Sequence, residues 1–164
     1  MLRNFTVNHT DPPKKERLVS KNFILVMLAA TSTTTMNQFF NSSVALHVTA
    51  IGGLQVHAGI LLTVFTTAAL AVRPVTGILS DKYGRVKLLI VGAFICAACS
   101  LLYGISSGMS TLIIVRCFMG LGFGMHSTCA GAVAADVLPK SRLAEGIGIF
   151  GLGGTVAQAL APMI

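Results

Sequence analysis

The stretch from residue 73 to residue 87, RPVTGILSDKYGRVK, gathers Arg73, Asp81, Lys82, Arg85 and Lys87 into a chain where such residues are scarce. Only 10% of the 164 residues are charged, 54% are hydrophobic, and the mean hydropathy is +0.80. A soluble domain spreads charge along every helix. Here apolar runs of ~20 residues, long enough to cross ~30 Å of hydrocarbon, alternate with short polar joints. The quoted stretch therefore reads as a water-facing joint between two membrane helices.

Working outward from that joint, spans are expected at 22–46, 57–79, 88–105, 109–134 and 146 to the end, giving five helices. None of these runs alternates apolar and polar residues as a membrane strand does, so the expected fold is all-α. The net charge of +7 follows the joints. Arg3, Lys14, Lys15, Arg17 and Lys21 precede the first span, Lys82, Arg85 and Lys87 follow the second, and Lys140 and Arg142 follow the fourth. The joints at 47–56 and 106–108 contain no Lys, Arg, Asp or Glu. By the positive-inside rule, residues 1–21 form a cytoplasmic tail and the uncharged joints lie outside. The basic excess thus reports orientation; the expected partner is a lipid bilayer, and no nucleic acid is expected. KNFILVMLAATS has the outline of a signal peptide, but the apolar sequence continues through FFNSSVAL, past any such core, so a span is the better reading.

Cys96, Cys99, Cys117 and Cys129 all fall inside spans. Cys96 and Cys99 form a CxxC with no second pair or nearby His to complete a tetrahedral site, so they read as small packing residues and no metal is expected. In the charged joint, Gly84 suits a turn needing positive φ, and Gly77 would let another helix approach closely. Asp81, beside Arg85 at a helix end, could accept from the exposed N–H groups of a neighbouring helix N-terminus and so act as a latch.

GILSDKYGRVK resembles the loop 2–3 signature of the major facilitator superfamily of transporters, G-x-x-x-D-[RK]-x-G-R-[RK]. Gly77, Asp81, Lys82, Gly84 and Arg85 are on pattern, and Val86 replaces the last basic residue. The resemblance implies that Asp81 and Arg85 help lock the cytoplasmic side closed, with Arg85 paired to an acid at the inner end of the fourth helix, where Asp136 stands. RCFMGLGFG, with Arg116, Gly120 and Gly124 at four-residue spacing, resembles the family's helix-four motif. GIGIFGLGGTVAQALAP resembles the helix-five motif of the proton-driven antiporter branch: Gly148 and Pro162 are on pattern, while Ala157 and Ala161 replace glycines.

The family's fold is two six-helix halves around a central cavity, which rock to expose a midplane site to each side in turn. On that resemblance residues 22–164 are the first five helices of the N-terminal half, with helix six and the C-terminal half absent. The implied function is secondary active export of a small molecule across the plasma membrane by alternating access, driven by a proton gradient and without a cofactor. The alternative is a truncated, non-transporting remnant or a helix-packing partner of another subunit. An enzyme is not expected, since no HExxH, nucleophile elbow or paired carboxylates occur. GIGIFG matches G-x-G-x-x-G but lacks the preceding strand and following acid of a dinucleotide site.

Polar residues inside the spans complete the expected site. Arg116 lies ~10 Å deep, where a charge costs ~2.5–3.5 kcal/mol unless it finds acceptors, and Gln38 is expected at matching depth as its partner. Thr31, Thr34 or Thr35, Gln38 and Asn41 recur at three- and four-residue steps and are expected to line a cavity. Threonine hydroxyls bonding back to their own helix are the competing explanation. His126 is the one deep group with an ordinary pKa near neutrality, which makes it a candidate for coupling as well as for simple packing.

Overall fold

The computed structural model describes residues 20–50, 52–106 and 108–160, and every regular element among them is helical. They form α1 (Lys21–Ala50), α2 (Gln55–Tyr83), α3 (Arg85–Ile105), α4 (Met109–Val137), a 3-10 turn (Lys140–Arg142) and α5 (Leu143–Leu160). The basic residues from Arg3 to Arg17 and the helix-five Pro162 lie outside the described residues.

The helices are longer than the apolar runs. Hydrogen bonding continues through exposed Asp81, Lys82 and Tyr83, because such residues at a helix end cost the helix little. The joint that was expected to take a few residues is therefore Gly84 alone, at φ 95°. Only glycine adopts that angle readily, and its N–H closes α2 on the Ser80 carbonyl at 3.0 Å.

By length and composition α2, α3 and α4 can each cross a membrane. The other two helices carry more polar or small residues: α1 has the run TSTTTMNQ at its middle, and α5 has Glu145 and several glycines. Large apolar side chains point outward, among them Ile78, Phe94 and Leu101, each about three-quarters exposed. An apolar exterior of this kind suits lipid.

Helix α4 is the hub, packed against α3 and α2 most closely and against α1 and α5 as well. Its glycines explain how two neighbours come so near. A Cβ on Gly120 would meet the Phe65 carbonyl oxygen, and one on Gly124 would sit 2.5 Å from that of Ala69, both in α2. Gly122, on the opposite side, meets α3 at Ile95 and Gly92, and Gly92 in turn lies against the His126 backbone. Among the described residues nothing lies within 4 Å of a Cβ built on Gly77 or Gly148, so the packing expected of them is not made inside this bundle. Spacing shows which glycines share a face without showing whether a neighbour covers it.

Two apolar clusters hold the bundle. Val44, Val48, Leu61, Phe65, Tyr103, Leu112 and Met119 close the end where α1 finishes and α4 begins. Phe23, Ala134 and Leu138 close the Gly84 end, with Val26, Met27, Val137 and Phe150 against them.

Candidate functional site

At the Gly84 end three helices meet through one guanidinium. The Arg85 Nη1 donates to Asp136 Oδ1 of α4 at 2.6 Å, and its Nη2 donates to Asp81 Oδ1 of α2 at 3.3 Å. A longer bond of 3.4 Å runs from Nη1 to the Ala132 carbonyl. The sharp turn at Gly84 is what brings Asp81 and Arg85 side by side, although they belong to different helices. Asp136 is half exposed and Asp81 is 71% exposed, so Asp81 keeps an oxygen available to something outside the described bundle. Lys82 points away, with its ammonium 5.3 Å from the centre of its neighbour's ring, Tyr83.

The second arginine is enclosed. Arg116 has no exposed surface, and its Nη1 donates to Asn41 Oδ1 and its Nη2 to the Phe40 carbonyl oxygen, both at 3.0 Å. The guanidinium carbon lies 5.2 Å from the Tyr103 ring centre and 5.9 Å from that of Phe65. Cation–π attraction of ~0.5–2 kcal/mol per ring offsets part of the cost of burial. Nε is left without a partner.

The expected bond from Arg116 to Gln38 is not the one formed. Asn41 takes that place, and its Nδ2 donates to Gln38 Oε1 at 3.2 Å, so Gln38 stands one bond further out. Depth alone put Gln38 level with Arg116; the facing direction, set by the helix turn from Gln38 to Asn41, selects the later residue. The threonines behave as the competing explanation held. Thr33, Thr34 and Thr35 each donate to the carbonyl one turn back, at 3.0, 2.8 and 2.9 Å.

Thr31 and Thr34 do reach a cavity, of about 80 Å³, between α1, α4 and α5. His126 lines it too, 2% exposed, with Nδ1 3.2 Å from the Leu89 carbonyl oxygen of α3. The structure therefore separates the expected residues into three places: Asp81, Arg85 and Asp136 at one end, Arg116 with Asn41 and Gln38 toward the other, and His126 with Thr31 and Thr34 between. Sequence reasoning passed over Tyr103 and Phe65, the aromatic walls of the Arg116 site, and Asn37, which is 6% exposed with its Oδ1 unpartnered. Asn37 could have been found, because it lies one turn from both Thr34 and Asn41. Among the described residues no group of His, Cys, Asp and Glu is arranged to hold a metal ion.

Comparison with known proteins places this geometry in context. The family model described as Major Facilitator Superfamily matches residues 23–164. An uncharacterized MFS-type transporter of Methanocaldococcus jannaschii is 27% identical over 89% of this chain and 38% of its own length. The class H tetracycline resistance protein of Pasteurella multocida is 32% identical over 68% of this chain and 28% of its own. The arabinose-proton symporter of Bacillus subtilis is 36% identical over 41% of this chain and 14% of its own. The chain spans well under half the length of each of these relatives.

Proposed function

The chain belongs to the major facilitator superfamily, a family of multi-pass membrane transporters, and on that premise we propose that it serves secondary active export of a small molecule, coupled to the proton gradient. The observation that carries this reading is the joint at Gly84. Asp136 fixes Arg85, Arg85 fixes one oxygen of Asp81, and the exposed remainder of the Asp81 carboxylate is held ready at the bundle's end. Such a group suits a contact that is made in one state and released in the other, because an exposed pair costs little to open. Its partner is the N-terminus of a helix in a second bundle, the C-terminal half that the greater length of the relatives supports.

In this reading residues 1–21 and the Gly84 joint face the cytoplasm, the membrane is the plasma membrane, and rocking of the two bundles carries the substrate past the polar face of α1. Export rather than uptake draws on the resistance protein among the relatives, and the proton gradient on the symporter. No cofactor takes part. The test uses cells expressing the chain within the two-bundle protein that this reading requires, loaded with ethidium or tetracycline. Lower accumulation that a protonophore abolishes supports export. Protonophore-sensitive gain of arabinose would reverse the direction, and no change in any of the three would remove the transport reading.

A further inference from the structure

Midway along α4, away from both arginines, His126 presents a polar atom that the fold leaves unanswered. A carbonyl only accepts, so the bond to Leu89 requires the proton on Nδ1. In the neutral ring Nε2 is then a bare acceptor, and it is buried with no partner. Two of the hydroxyls that line its cavity are already spent. Thr34 has given its proton to the Ala30 carbonyl and Ser127 its own to that of Gly124, so both turn lone pairs toward the cavity. Phe123 and Phe150 add aromatic walls. A buried imidazole among acceptors and aromatic rings lacks one thing, a positive hydrogen-bond donor.

We propose that this cavity is the proton-binding site of the transporter, with His126 Nε2 as the atom that receives the proton and a water bridging it to the Thr31 and Thr34 oxygens. In the step, a hydronium entering the cavity loses one O–H bond, the Nε2 lone pair forms an N–H bond, and water and an imidazolium remain; release is the reverse. The volume of about 80 Å³ exceeds the ~10–15 Å³ that one water needs and falls short of the ~300 Å³ of a drug-sized pocket. Hard cations such as sodium take oxygen ligands in numbers this wall does not supply, and a ring nitrogen favours the proton.

Among the described residues no other titratable or charged side chain lines the cavity. On α4, Arg116 and Asp136 are each ~15 Å along the helix, and Cys117 and Cys129 are outside the wall. The same holds for Arg85, Lys87, Cys96, Cys99 and Tyr103 of α3, for Lys21 and His47 at the ends of α1, and for Glu145 of α5. On α2, His57, Arg73, Asp81, Lys82 and Tyr83 are likewise absent from it.

The proposal rests on the transport reading, and the experiment separates the two. The chain, labelled with nitrogen-15 in its histidine rings and placed in lipid nanodiscs, is followed by NMR as pH is lowered. His126 is assigned by loss of its signals in His126→Gln or, should that variant misfold, by a variant with His9, His47 and His57 replaced. The expected result is a ring with only Nδ1 protonated at high pH that gains a proton on Nε2 in one step between about pH 5 and 8. A ring that does not titrate in that window, one protonated on Nε2 at high pH, or one that responds to sodium at fixed pH overturns the site. Ethidium transport into vesicles supplies the second arm: His126→Gln should lose dependence on an imposed pH gradient while retaining exchange at equal pH. Retained gradient dependence in that variant overturns the site and leaves transport standing. A titrating His126 in a chain that moves no ethidium, tetracycline or arabinose supports the site and removes the transport reading.

Discussion

Arg85 and Arg116 are the same residue in opposite settings, and the contrast shows how one side chain serves two purposes. Arg85 is partly exposed at a helix junction between two carboxylates. Arg116 is fully buried and is held by an amide oxygen, a backbone carbonyl and two aromatic faces. Water screens the first, so its ion pairs are weak and can be exchanged. The second cannot be released to water without opening the bundle, so its neutral partners have to be fixed in advance. A movable contact is built from exposed charges, and a permanent one from buried dipoles.

The contrast is broken most severely at Arg116. Arg116→Lys keeps the charge but cannot reach Asn41 and the Phe40 carbonyl together, and it should cost about 3 kcal/mol of stability, read as thermal unfolding in detergent. Stability equal to the native chain would mean that the enclosed network contributes nothing. Asn41→Leu should destabilise less, and the double variant should be better than the sum of the singles by about 1 kcal/mol, because both changes remove one contact. Additive effects would place Asn41 outside the network.

A smaller effect separates glycines that covered or open faces distinguish. Gly124→Ala puts a methyl group against the α2 backbone and should destabilise by about 1–3 kcal/mol. Gly148→Ala, in open space, should be neutral or stabilising by up to ~1 kcal/mol. The reverse order would contradict the packing of α4. At the exposed arginine, Asp136→Asn should change stability by less than about 1 kcal/mol, an effect that salt diminishes. Orientation is checked by single cysteines: Gln55→Cys should react with an impermeant thiol reagent from outside intact cells, and Lys140→Cys should not.

These particulars show what the chain made legible. Apolar runs located all five helices, and three of them, α2, α3 and α4, have the length and composition to cross a membrane. Several of their ends were misplaced by a few residues, because exposed Asp, Lys and Arg neither mark nor break a helix, whereas Gly52 and Gly84, both at positive φ, stand where α1 and α2 stop. The resemblance of GILSDKYGRVK to the family's loop signature implied a pair between Arg85 and Asp136, which the structure brings to 2.6 Å. Depth along a helix could not choose between Gln38 and Asn41 for Arg116, because that choice depends on how α1 is rotated against α4. The same rotation decides that Thr34, its hydroxyl already given to the Ala30 carbonyl, shares a cavity with His126, a fact that no count of polar residues contains.

The most direct test of the central claim is the ethidium export rate of Asp81→Asn at equal amounts of inserted protein. Asparagine keeps the volume and removes the charge, while the bond from Arg85 to Asp136 stays in place. If the Asp81 carboxylate is a contact made in one state and released in the other, losing a charged hydrogen bond should slow export about tenfold with unchanged insertion and thermal stability. Export at the native rate would contradict the account and leave the Gly84 joint with a role in orientation alone.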